Sequence, residues 1–88
     1  MKCPQLRTLG MNICRLRSRK DWTQEALAGR AVIHTRHLQH IEHGEVEPKF
    51  STLAALCGAL QCDWNTMMEG IHVAVPVEAG VRLANSAV

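Results

Sequence analysis

Residues 23–44 read TQEALAGRAVIHTRHLQHIEHG. The beginning of this stretch has the residues of a helix start. The Thr23 hydroxyl can accept a backbone N–H as an N-cap, and Trp22 before it can pack on Leu27 as a hydrophobic staple. The sequence therefore predicts a short helix over about residues 24–30.

The remainder of the stretch predicts a second helix, over about residues 35–43. Its apolar side chains Leu38 and Ile41 lie three positions apart and form one narrow buried edge, and Gly44 is typical of a helix C-terminus. Between the two helices lies a turn of about three residues, which gives the helix-turn-helix arrangement. The polar outer face of the second helix has the size and chemistry to enter a DNA major groove.

Apolar spacing predicts one helix before this pair and two after it. The first runs from about Pro4 to Lys20, with a stripe formed by Leu6, Leu9, Ile13 and Leu16. The fourth follows a loop over residues 45–49, is capped by Ser51, and buries Leu53, Leu56, Cys57 and Leu60. A short fifth helix is capped by Asp63 and ends at Gly70.

The predicted fold class is therefore all-α, a five-helix domain over residues 1–70 with a short C-terminal tail. The tail, residues 71–88, contains Pro76, which restricts any strand to a sheet edge. Two interpretations stay open: an edge strand used for dimerisation, or a disordered segment.

Length and composition exclude several classes of protein. A chain of 88 residues has one small core. The chain lacks a glycine-rich phosphate loop, a nucleophile elbow and a matched carboxylate pair, so we expect neither catalysis nor a cofactor.

The four cysteines have no metal or redox spacing and indicate reduced thiols. No signal peptide is evident and the uncharged run over residues 50–62 is too short for a bilayer, so we expect a cytoplasmic protein without a membrane partner.

The net charge of +2 hides an uneven distribution. Residues 1–40 carry eight basic and two acidic side chains, a charge of +6, whereas residues 41–88 carry two basic and six acidic ones, a charge of −4. A basic first half favours a polyanionic partner for one face, although uneven solvated charge is the commoner explanation.

A larger set of residues forms a pattern over about residues 6–70. Its members are Leu9, Gly10, Ile13, Leu16, Arg17, Thr23, Gln24, Leu27, Ala28, Ile33, Ile41, Glu42, Gly44, Pro48, Leu53, Ala59 and Leu60. With these residues the chain resembles the Cro and cI-type helix-turn-helix family, also called the XRE family. The resemblance implies a lambda-repressor-like domain and a sequence-specific regulator of transcription that binds double-stranded DNA. It also implies a repressor that acts as a homodimer on an inverted-repeat operator.

The resemblance also assigns roles to single residues. It implies a structural ion pair between Arg17 and Glu42. The base-contacting positions of the family fall on Thr35, Arg36, His40 and Gln39. The phosphate-binding positions fall on Gln24, His43 and Lys49. Arg36 is the sharpest of these assignments, because a guanidinium can donate two hydrogen bonds to guanine O6 and N7.

Two residues depart from the family pattern. Val32 stands in the turn where glycine is common, and His34 stands where serine or threonine caps the recognition helix. Valine disfavours positive φ, so we expect a slightly altered turn.

Histidines recur at every third position from His34 to His43. Steps of three turn the helix by about 300°, so the first and last diverge by about half a turn and cannot join in a four-ligand metal site. We therefore interpret them as surface side chains and predict no metal.

The alternative interpretation is a helix-turn-helix module that binds protein, such as the antitoxin of a toxin–antitoxin pair. In that case the partner is a toxin, and the tail from Ile71 is the segment available to contact it.

Overall fold

The computed structural model of the protein describes residues 3–71. Within this range it contains five α-helices and no strand, which confirms the predicted fold class. The helices are α1 (Pro4–Arg19), α2 (Gln24–Ala31), α3 (Thr35–Glu42), α4 (Phe50–Leu60) and α5 (Trp64–Met67). Of the predicted tail only Ile71, half-buried against the core, is described; residues 72–88 lie outside the described part.

The core lies where α1, α2, α3 and α4 meet. Helix α1 packs on α3 and α5, and α2 packs on α3 and α4. The largest fully buried side chains are Ile13, Leu27, Leu38, Ile41, Leu56, Leu60 and Met67. Each full burial of a Leu, Ile or Met side chain contributes about 1.5–3 kcal/mol relative to exposure, so these seven positions dominate the stabilising terms.

Gly10 allows α1 and α3 to approach closely. A Cβ atom at this position would lie 2.5 Å from the Ile41 carbonyl oxygen and closer still to the Glu42 carbonyl oxygen. Both atoms belong to the backbone of the last turn of α3, so they cannot rotate away. The orientation of α3 on the domain therefore depends on the missing side chain of Gly10.

Asn12 is a buried polar residue that ties α5 to α1. Its side chain is 4% exposed, and its amide nitrogen donates to the carbonyl oxygens of Met67 and Glu69, each at 2.8 Å. These carbonyls belong to the end of α5 and the turn after it, where backbone acceptors lack helical partners. The buried amide therefore completes the hydrogen bonding of the last helix.

The start of α2 agrees with its prediction, because the Thr23 hydroxyl accepts the Ala26 N–H at 3.0 Å as the N-cap. The start of α4 was predicted wrongly. Lys49, not Ser51, has the extended backbone of an N-cap, with φ −70° and ψ 158°. Ser51 falls inside the first turn, where helical backbone prevents the capping geometry.

The fifth helix is shorter than predicted. It ends at Met67 rather than at Gly70, and Asp63 occupies its N-cap position without a side-chain capping hydrogen bond. The backbone turns out of the helix at Met68, and Gly70 adopts a positive φ of 82°.

The turn between α2 and α3 keeps its regular form. Val32 adopts the left-handed conformation, φ 58° and ψ 51°, and its N–H donates to the Gly29 carbonyl at 3.3 Å. The Ile33 N–H donates to the Ala28 carbonyl at 2.9 Å, which completes a Schellman motif. The turn therefore closes as a regular Schellman motif with valine in the left-handed position, and the strain resides in Val32 itself.

Val32→Gly is expected to raise the free energy of unfolding by about 1 kcal/mol. A non-glycine residue in the left-handed region costs about 1–3 kcal/mol, which glycine removes. Glycine also gives the unfolded chain more conformational entropy, which offsets part of this stabilisation. Val32 is 87% exposed, so its removal loses little packing. Urea denaturation measures the change. Val32→Ala is the matched control, since it removes the exposed side chain but retains Cβ; an equal gain in both variants would contradict backbone strain as the cause.

Candidate nucleic-acid interface

Helix α3 is anchored along one edge and open along the other. Leu38 is fully buried and Ile41 is 1% exposed, and Ile33 before the helix packs half-buried against the core. Because these anchors lie on one side of a helix of eight residues, the other side chains of α3 reach solvent at least in part, except for that of Glu42, which is buried at the end of the helix. This is the geometry that the spacing of Leu38 and Ile41 predicted.

The residues assigned to base contacts lie on the open side. Arg36 is exposed, and Thr35, Gln39 and His40 are half-buried with part of each side chain in solvent. Thr35, Arg36 and His40 line a shallow hollow of about 510 Å³ together with His34 and His37. The structure thus brings three of the four positions to one surface, and none of the four is occluded.

Arg17 and Glu42 form a bidentate ion pair between α1 and the end of α3. Arg17 Nε lies 2.7 Å from Glu42 Oε2, and Arg17 Nη2 lies 3.0 Å from Oε1. The two side chains are only 14% and 4% exposed. The hydrogen bond to Glu42 raises the pKa of Arg17 above its ordinary value, so the arginine stays charged at any working pH. The pair therefore fixes α3 against α1 from within the protein.

Gln24 joins this ion pair as a third member. Its amide nitrogen donates to Glu42 Oε1 at 2.8 Å, and the side chain is half-buried at the first position of α2. An amide nitrogen has two hydrogens, so one remains for a second acceptor. Sequence analysis assigned Gln24 to phosphate without expecting this contact.

His43 and Lys49 lie at two neighbouring helix ends. Exposed His43 is the C-cap of α3, and exposed Lys49 is the N-cap of α4. His43 lines a depression of about 380 Å³ with Arg7 and Met11 of α1 and with Glu45. Sequence analysis did not single out Arg7, because its position beside α3 follows from the packing of α1 and not from a local motif.

His40 has a partner that sequence analysis missed. Its Nδ1 atom lies 2.6 Å from Glu45 Oε1, and the two side chains are 44% and 38% exposed. Glu45 follows Gly44, whose positive φ of 72° reverses the chain after α3. From the sequence, Glu45 was placed only in the loop over residues 45–49.

The part of the chain from residue 3 to residue 71 has no cluster of three or more His, Cys, Asp or Glu side chains able to hold a metal ion. The Cys62 thiol is a poor nucleophile at neutral pH. Burial raises the pKa of the Cys62 thiol to about 11, and the neighbouring Cys57 thiol, 3.9 Å away, adds to the shift. Over the same residues, every helix is too short or too polar to cross a lipid bilayer.

The fold and the open face of α3 define a helix-turn-helix protein. The family described as "Helix-turn-helix domain" matches residues 8–68, so the chain belongs to this family. This confirms the resemblance found in the sequence. A comparison with curated proteins gives no significant match.

Several solved structures share the fold. The restriction-modification controller protein C.AhdI from Aeromonas hydrophila has a TM-score of 0.69 and 22% identity over 70% of this chain and 94% of its own. The clp gene regulator ClgR from Corynebacterium glutamicum has a TM-score of 0.72 and 24% identity over 77% of this chain and 87% of its own. A hypothetical transcription factor, NHTF from Neisseria, has a TM-score of 0.69 and 19% identity over 90% of this chain and 84% of its own.

Proposed function

We propose that this chain is a sequence-specific regulator of transcription that binds double-stranded DNA through α3. One observation carries the proposal: Leu38 and Ile41 are buried while Thr35, Arg36 and His40 remain open on one surface. A helix held in this way can enter a major groove without rearrangement. Proteins of this fold include a restriction-modification controller and a clp gene regulator, which supports a regulatory function. For such a regulator the proposed location is the cytoplasm.

The proposed base contacts come from Thr35, Arg36, Gln39 and His40. Arg36 is the exposed member and the only one with a guanidinium, which can donate bidentately to guanine. Thr35 lies at the first position of α3, where its methyl group can contact a thymine methyl group or its hydroxyl can donate to a phosphate. These residues set the preferred operator sequence.

The proposed phosphate contacts come from Gln24, His43 and Lys49. Gln24 is the first residue of α2, where free N–H groups and the helix dipole favour an anion. Its amide is held in place by Glu42 at 2.8 Å, so little side-chain freedom is lost when a phosphate binds. Lys49 contributes charge without sequence preference.

We also propose that the regulator acts as a homodimer and represses from an inverted-repeat operator. Two copies of α3 would occupy successive major grooves about 34 Å apart. Helix α4 carries no charged residue, Phe50 at its start is 73% exposed, and the Phe50 ring centroid lies 5.5 Å from that of Trp64. Exposed apolar surface of this kind supports contact between two copies.

The same apolar pair favours one alternative function, a protein-interaction module such as an antitoxin that binds a toxin. Fluorescence anisotropy with labelled promoter DNA at several salt concentrations distinguishes the two functions. A linear fall of log affinity with log salt concentration is expected for a DNA-binding protein, with a slope of about −0.9 for each phosphate contact. Absence of binding at low salt would instead favour the protein-interaction module.

Arg36→Ala is expected to relax specificity at one base pair, with a loss of about 1–3 kcal/mol on the preferred duplex and little loss on random DNA. Selection from a random oligonucleotide pool followed by competition binding measures both. Lys49→Ala is the comparison variant, and it should weaken all duplexes alike and reduce the salt slope by about 1. Equal losses on preferred and random DNA for Arg36→Ala would remove Arg36 from the base-contacting set.

A further inference from the structure

The contact between His40 and Glu45 arises from the way in which α3 ends. The Glu45 N–H donates to the His40 carbonyl at 2.9 Å, and the Gly44 N–H donates to the Ile41 carbonyl at 3.0 Å, which together form a Schellman motif. This motif places the side chains of residues 40 and 45 side by side. In the equivalent motifs that end α1, α2 and α4, the paired residues are Arg17 with Trp22, Ala28 with Ile33 and Cys57 with Cys62. Of these four motifs, the one after α3 pairs a base with an acid.

The contact determines which imidazole nitrogen carries hydrogen. An ionised carboxylate has no hydrogen and can only accept, so Nδ1 of His40 must donate across the 2.6 Å to Glu45. In a neutral imidazole the second nitrogen, Nε2, then has a lone pair and accepts. Among residues 3–71, Glu45 is the hydrogen-bonding partner found for the His40 ring, and that contact uses Nδ1.

The Nε2 atom is therefore available to DNA as an acceptor. The His40 side chain is 44% exposed and borders the hollow that also contains Thr35 and Arg36. In the major groove, an acceptor finds a donor on the exocyclic amino groups of cytosine N4 and adenine N6. Guanine O6 and N7 and thymine O4 are acceptors and would oppose the Nε2 lone pair.

We propose that Glu45 is a positioning residue that fixes His40 as a hydrogen-bond acceptor, so that His40 selects cytosine or adenine over guanine or thymine at the base it meets. This inference rests on the proposed function. The same carboxylate repels phosphate, so it lowers general affinity for DNA while it raises discrimination at one position.

The experiment uses the full chain at pH 8, where imidazole side chains are ordinarily neutral. Selection from a random oligonucleotide pool is run for wild type and for His40→Ala, and the position at which preference disappears in His40→Ala identifies the base that His40 contacts. Competition anisotropy then compares duplexes that carry each of the four bases there. Wild type is expected to prefer cytosine or adenine by about fivefold, the factor that corresponds to one net hydrogen bond.

Glu45→Gln is the decisive variant. The glutamine amide can donate or accept, so both imidazole tautomers become available and the preference should fall below about twofold. Glu45→Asp keeps a carboxylate and should restore part of the preference. In the His40→Ala background, Glu45→Gln should leave the base profile unchanged. Glu47→Gln is the matched control, since it removes an exposed carboxylate from the same loop and should raise affinity for random DNA without altering base preference.

Thermal melting monitored by circular dichroism establishes that each variant is folded. The inference is overturned if Glu45→Gln retains the wild-type base profile, if Glu47→Gln relaxes it equally, or if His40→Ala changes preference at no position. A different result bears on the proposed function alone: if wild type binds no duplex in preference to competitor, DNA recognition itself is wrong.

Discussion

Gly10→Ala is expected to lower the free energy of unfolding by about 3 kcal/mol, near the upper end for overpacking of a well-packed site. The added Cβ would meet the carbonyl oxygens of Ile41 and Glu42, which are backbone atoms in the last turn of α3. This steric clash can be relieved only if α1 and α3 move apart, which would disturb the packing of Ile13 and Ile41 in the core. In a domain of this size the melting temperature should fall by more than about 10 °C.

Gly58→Ala is the matched control for this variant. Gly58 lies in α4, is exposed, and has no atom within 4 Å of a Cβ built on it. Alanine is favoured over glycine inside a helix by about 0.5–1 kcal/mol, so this change should stabilise the protein. Urea denaturation and thermal melting follow both variants. Similar effects of the two substitutions would show that α1 and α3 are not in close contact at Gly10.

Arg17→Met is expected to cost about 3 kcal/mol of folding free energy. The substitution removes the charged partner of the Glu42 carboxylate, which is 4% exposed and keeps only its hydrogen bond from the Gln24 amide. Removal of one member of a buried ion pair is costly because the other charge remains away from water. Equilibrium urea denaturation at neutral pH measures the loss. Arg15→Met is the control, since Arg15 pairs with Glu69 on the surface at 3.4 Å and should cost less than about 1 kcal/mol.

The double variant Arg17→Met with Glu42→Met tests the origin of the loss. Replacement of both members of a buried pair by apolar side chains of similar size is often close to neutral. The double variant should therefore be more stable than Arg17→Met alone. Additive losses would mean that the two residues contribute independently, which contradicts the coupling inferred from the 2.7 Å contact.

Features that depend on neighbouring residues were predictable from the sequence. Thr23 caps α2 through a hydrogen bond that spans only three positions, so the sequence indicates it directly. Leu38 and Ile41 form the narrow apolar edge of a short polar helix, and such an edge packs against the core. The start of α4 was not predictable in this way. Any residue with extended backbone can precede a helix, and the preference for serine is only about 1 kcal/mol, so a residue such as Lys49 can occupy the N-cap position.

The candidate site was predictable only where the resemblance to a known family or a local spacing indicated it. Arg17 and Glu42 are 25 positions apart, so spacing alone gives no reason to pair them, and the resemblance to a known family supplied the pairing. Gln24 joins them through the packing of α2 against α3, which sequence patterns do not encode. The His40 and Glu45 contact was missed because it depends on the left-handed backbone of Gly44, which reverses the chain direction.

The dependence of α5 on Asn12 couples the stability of this short helix to that of α1. A helix of four residues cannot persist alone in water, and α5 is maintained by the buried Met67 side chain and by an amide that belongs to α1. Helix α5 is therefore expected to melt when α1 does, although the two helices lie at opposite ends of the described chain. During synthesis, Asn12 finds both of its acceptors only after residue 69 has left the ribosome, so α5 is expected to be fixed last.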